Sequence, residues 1–174
     1  MSFNKTATLL ACILGGLCTQ SVMAADSGLN VSGNVVASPC TVDAATKTLA
    51  IPLGDVQASV LAAAAGSSAW TALYNLTLSS CPATTSTVNA TFSGTADTND
   101  TNGYKNAGSG SAAVSVQLAK TDGTTFLKNG ASFGDTAVTS GKVTFPIKAR
   151  MYTKAGSVAP GAVSAAISVA FTYK

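Results

Sequence analysis

The stretch GAVSAAISVAFTYK, Gly161 to Lys174, carries the reading of the fold. Val163, Ala165, Ile167, Val169, Phe171 and Tyr173 occupy every second position, and Ala162, Ser164, Ala166, Ser168, Ala170 and Thr172 lie between them. A period of two puts the first set on one face of a β-strand and the second on the other. One face is wholly apolar, and the other is small enough to accept close neighbours. By itself this pattern describes the last core strand of a β-sandwich.

Other segments repeat the pattern. Thr87 to Ser93 directs Val88, Ala90 and Phe92 one way, and Val114, Val116 and Leu118 form a second row. Lys142 to Tyr152 sets Val143, Phe145, Ile147, Ala149 and Met151 against Lys142, Thr144, Lys148 and Arg150, the last two reading as a solvated face. Pro146 cannot donate to a ladder, so that strand is expected to be an edge there or to bulge. Tyr74, Leu76 and Leu78 make a further inward row before Cys81. Leu29, Val31, Gly33 and Val35 alternate with Asn30, Ser32 and Asn34 ahead of Cys40, either as a first strand of the domain or as an arm that leaves it. Asn102-Gly103, Asp122-Gly123 and Asn129-Gly130 suit turns with positive φ. Leu61 to Ala65 suits a short helical connection ended by Gly66, and Thr95 to Gly110 reads as a long polar surface loop. Short strands with such turns predict an all-β sandwich of immunoglobulin type.

Residues 1–24 have the three parts of a secretory signal: a weakly basic start ending at Lys5, the 12-residue apolar run ATLLACILGGLC, and Val22-Met23-Ala24 before the cleavage point. The run is too short for a spanning helix, which needs about 20 apolar residues, and no later segment is long and apolar enough. Cleavage leaves 150 residues (174 minus 24), enough for one domain. The net charge of +3 falls to +2 with the loss of Lys5, and no basic cluster points to nucleic acid. Cys12 and Cys18 leave with the signal. Cys40 and Cys81 remain, and an even pair in an exported chain reads as one disulfide. The loop it closes, about forty residues, corresponds to roughly 4 kcal/mol in the chain-entropy model.

The chain contains no His and no Glu. Ser-His and Cys-His nucleophile pairs are therefore excluded, and two thiols alone do not complete a zinc shell. No metal, cofactor or enzymatic activity is expected. Gly108 to Ala113 fits a G-x-G-x-x-A dinucleotide pattern, but it follows a polar loop and leads into a strand, the wrong context. Asp26-Ser27-Gly28 lacks the second copy an aspartic protease needs. The sequons at Asn75, Asn89 and Asn99 are chance products of Thr- and Asn-rich segments.

Read together, Val31-Ser32-Gly33-Asn34-Val35-Val36, Pro39-Cys40-Thr41-Val42, Leu53-Gly54-Asp55, Ser68-Ala69-Trp70, Cys81-Pro82 and Ala90-Thr91-Phe92-Ser93-Gly94 resemble the chaperone–usher fimbrial subunits, especially the minor tip pilins of type 1 fimbriae. The ending is the most specific part: Gly161, the fourteenth residue counted back from the C-terminus, then alternating apolar residues and the penultimate Tyr173.

The resemblance implies an incomplete immunoglobulin-like sandwich, a pilin fold lacking its last strand and completed by donor-strand exchange. Residues 25–38 would be the donor-strand extension and 39–174 the pilin domain. Leu29, Val31 and Val35 would enter a neighbour's groove, with Gly33 where that groove is shallow. Gly161, Val163, Ala165, Ile167, Val169, Phe171 and Tyr173 would form this subunit's acceptor strand, facing first a periplasmic pilus chaperone, which would also hold the Lys174 carboxylate, and then a neighbour's arm. The implied partners are that chaperone, an outer-membrane usher, neighbouring pilins and a tip adhesin. The implied location is the cell-surface fimbrium, reached through the periplasm. A major rod pilin and a single-domain glycan-binding adhesin are the alternatives. Fimbrial adhesins place a lectin domain ahead of the pilin domain, and 150 residues leave no room for one.

Overall fold

A computed structural model of the chain describes residues 32–110 and 112–174. The leader, Leu29 and Val31 lie outside these residues. Residues 35–174 form one compact unit, and 32–34 fall with the segment that precedes it.

Among the described residues, eight strands make two antiparallel sheets. One contains β1 (Thr41–Val42), β2 (Tyr74–Ser79), β4 (Gly103–Lys105), β5 (Val114–Lys120) and β7 (Val143–Thr153), in the order β1-β2-β7-β5-β4. The other contains β3 (Thr87–Gly94), β6 (Thr136–Ala137) and β8 (Ile167–Tyr173), in the order β6-β3-β8. The inward rows of both sheets share one core. Leu76 and Leu78 from β2, Val88, Ala90 and Phe92 from β3, Leu118 from β5 and Val143, Phe145, Ile147 and Ala149 from β7 are all buried. Period-two patterning suffices to produce this arrangement, because each strand has one face that must leave water. A disulfide joins Cys40 to Cys81 and so ties the start of β1 to the end of β2.

Pro146 lies in a central strand, between β2 and β5. The odd-numbered backbone groups of β7, such as those of Ala149 and Met151, bond toward residues 68 and 71, so the even-numbered ones face β5. The β5 ladder stops at the pair Lys120 and Ile147, one residue short of Pro146. Its missing N–H therefore falls on a flank that is locally an edge.

Four expectations are corrected. The helical turn lies at Ala58–Leu61, with Leu61 buried, and the Ala-rich residues after it make bends, closed by Ala65 in the left-handed region. The segment 95–110 is not all surface loop, because Gly103–Lys105 forms β4 and Tyr104 is fully buried. Gly103 pairs with Gln117 in extended conformation, whereas Gly123 and Gly130 do adopt positive φ. Lys148 and Arg150 are half-buried, their cationic groups 5.3 and 4.4 Å from the centre of the Trp70 ring. They roof the outer face of the sheet through cation–π contacts rather than extending into water, and burial lowers the Arg150 pKa. Beneath this roof Gln117 is buried, accepting from Arg150 Nε at 2.8 Å and donating to Asp100 at 2.9 Å.

Candidate functional site

β8 has one hydrogen-bonded edge. Lys174 and Thr87 exchange backbone bonds at 2.9 and 3.1 Å, which makes Thr172, Ala170 and Ser168 the bonded partners of Asn89, Thr91 and Ser93. The N–H and C=O groups of Ile167, Val169, Phe171 and Tyr173 consequently point the other way, where no described residue pairs with them. Their side chains face the sandwich interior but are only half-buried, whereas Val88, Ala90 and Phe92, opposite them on β3, are fully buried. The half-buried and exposed alternation runs without a break from Val163 to Lys174, past the start of the ladder. A strand with an apolar row in place, a free backbone edge and incomplete burial lacks a neighbour.

The space beside that edge is a groove of about 940 Å³. Val163, Ala165, Ile167, Val169 and Phe171 line one wall. Leu49, Ile51 and Leu53 line the other, half-buried and alternating with the exposed Ala50 and Pro52. Among the described residues, no backbone hydrogen bond ties residues 50–56 into a ladder, so this wall also presents unpaired groups. Leu76, Phe92, Leu118, Ile147 and Ala149 form the floor, which is the core itself. Phe171 reaches down to Phe145, ring centres 5.9 Å apart. Burial raises the Tyr173 pKa at the end of the row.

The groove thus gathers five of the seven residues named on the C-terminal stretch. Tyr173 lies beyond it, beside Val35 and Val36 at a smaller depression, and Gly161 packs against Gly110. The wall at 49–53 was missed from sequence, although Leu49, Ile51 and Leu53 alternate and Pro52 breaks any ladder there. Of the four arm residues named, Gly33 and Val35 are described, and both are exposed. Val35 is wholly solvent-accessible and Val36 nearly so, with no strand over 32–39. Among the described residues no cluster of acidic or thiol side chains could hold a metal ion, and the groove offers apolar surface and backbone groups rather than reactive side chains.

The family model for fimbrial proteins matches residues 29–174. The chain is 35% identical over 173 residues to Protein FimG of Escherichia coli K12, covering 99% of each. It is 34% identical to the laminin-binding fimbrial subunit ElfA of Escherichia coli O157:H7, covering 97% of this chain and 99% of that one, and 30% identical to the type-1 fimbrial protein A chain of Escherichia coli K12, covering 98% and 100%. The fold is similar to that of the P pilus rod subunit PapA, with a TM-score of 0.67 at 19% identity over 79% of this chain and 100% of that one. An open, incomplete sandwich and a family match over nearly the whole length lead to one conclusion: the chain belongs to the chaperone–usher fimbrial subunits, secreted, non-catalytic components of cell-surface pili.

Proposed function

We propose that this subunit is a link near the tip of an adhesive fimbria, an adaptor that receives one strand and donates another. The groove would take an extended segment, first from a periplasmic chaperone and then, at the outer-membrane usher, from the arm of the next subunit. The acceptor residues are Gly161, Val163, Ala165, Ile167, Val169, Phe171 and Tyr173. The donor is the extension 25–38, in which Leu29, Val31 and Val35 are the knobs and Gly33 the small position; residues 1–24 are the export signal. The observation that carries the reading is the half-buried apolar row of β8 beside an unpaired backbone edge.

Strand addition supplies what the site lacks: a ladder of hydrogen bonds and apolar cover together. Each aliphatic knob would contribute about 1.5–3 kcal/mol by burial. Donor and acceptor surfaces differ, so the contact is head-to-tail and builds an open fibre. The resemblance in sequence leans to the adaptor position next to a tip adhesin rather than to the rod.

Co-expression with the cognate periplasmic chaperone tests the proposal. The chain should purify as a one-to-one complex, and a synthetic peptide of residues 26–38, standing in for the corresponding arm of the next subunit, should displace the chaperone. A stable, peptide-indifferent monomer obtained without chaperone would overturn it. A bacterial strain lacking this chain should keep its rods and lose tip-borne adhesion, whereas loss of the rods themselves would favour the major-pilin alternative.

A further inference from the structure

We infer that Asn106 is a positioning residue for one half of the groove, holding the segment 162–165 in the register that presents Val163 and Ala165 to an incoming strand. The inference rests on the donor-strand reading above. β3 ends at Gly94, opposite Ile167, so the six residues from Gly161 to Ala166 have no sheet partner on that edge. The loop 106–110 takes its place. Ala107 N–H donates to the Ser164 carbonyl oxygen at 2.8 Å, and Gly110 N–H to that of Ala162 at 2.7 Å. The Asn106 Oδ1 accepts from Ser164 N–H at 3.0 Å and from Gly108 N–H at 2.8 Å. One buried oxygen, on a residue 8% exposed, therefore both shapes the loop and grips the strand.

Two glycines make the approach possible. A Cβ at Gly108 would collide with the Ala162 carbonyl oxygen, and one at Gly110 would come within 2.6 Å of it. All of these bonds engage even-numbered residues of the segment, the same parity that β8 uses toward β3. The wall is therefore composite but continuous, and its odd-numbered residues line the groove from Val163 to Phe171. Without the Asn106 oxygen the Ser164 N–H loses its partner, and that half of the wall is free to leave register. The rest of β8 keeps its ladder with β3.

Titration of the secreted chain with the peptide of residues 26–38, with amide hydrogen exchange read at 162–166 and at 168–173, tests this. In the unaltered protein the peptide should slow exchange in both stretches. Asn106→Leu should bind roughly tenfold more weakly and lose the added protection at 162–166 while keeping it at 168–173. Asn106→Asp, which retains the accepting oxygen, should stay close to the unaltered protein. Should Asn106→Leu fail to fold, Gly108→Ala, which pushes the loop off Ala162, is read the same way. Unchanged affinity with protection in both stretches, or an even loss across both, would overturn the role of Asn106. Absence of any peptide-induced protection in the unaltered protein would overturn the donor-strand reading and this inference with it.

Discussion

The hydroxyl of Tyr104 donates to the Leu127 carbonyl oxygen at 2.7 Å inside the core, and burial pushes its pKa up to about 12. The unfolded chain releases that proton near pH 10, so stability from this group is complete below pH 10 and falls as pH rises from about 10 to 12. The loss is on the order of 2 kcal/mol. Tyr104→Phe should unfold at lower denaturant concentration at pH 7, by about 1 kcal/mol, because the Leu127 carbonyl is left unpaired. It should also show a shallower decline above pH 10, and chemical denaturation across that range checks both. Tyr104 was not legible beforehand: a lone aromatic among Asn, Thr and Gly gives no periodicity, and its burial follows from β4 pairing with β5. Arg150 was misread for a related reason. Alternation places it on the outer face, but nothing local says that Trp70, eighty residues away, lies across it. Such misses come from long-range contacts that leave no mark on spacing.

At the level of the element, β8 separates two residue classes by parity. Val169 faces the groove and Ala170 faces water. Val169→Asp should leave the uncomplemented fold in place, since the site is already half-wet. It should weaken binding of the 26–38 peptide by more than tenfold, because the carboxylate would be buried against the donated strand. Ala170→Asp should change binding by less than twofold, and fluorescence anisotropy with labelled peptide distinguishes the two. Strands long enough to show several repeats were legible. The inward rows of β3, β5 and β7 lie where their alternation put them, and the apolar row of β8 was read residue by residue. The short elements were not, because β1, β4 and β6 hold two or three residues each and carry no pattern of their own. The second groove wall falls between these cases, having the alternation of Leu49, Ile51 and Leu53 but no ladder to make it a strand.

For the whole molecule, the groove is a defect that one added segment should repair. A copy of residues 26–38 appended after Lys174 should raise the melting temperature by roughly 10 °C or more in calorimetry, given several newly buried aliphatics. The same fusion with the residue copied from Val31 changed to Asp should gain little. Equal melting temperatures for the fused and unfused proteins would mean that the groove does not accept a strand. The all-β class followed from strand alternation and turn chemistry, whereas the open side came from the family resemblance, because the C-terminal pattern by itself describes a last core strand. The size of the opening did not, since it depends on how the two sheets splay and on where the 49–53 segment runs.

The composite edge behind β8 bears on mechanics. Backbone bonds hold the segment from Ala162 to Lys174 along one flank, first through the loop at 106–110 and then through β3. Tension drawn along this segment would load its rungs in shear, so that they share the force instead of opening one after another. A filament made of such joints would resist stretching far better than peeling, and its weak direction would be sideways.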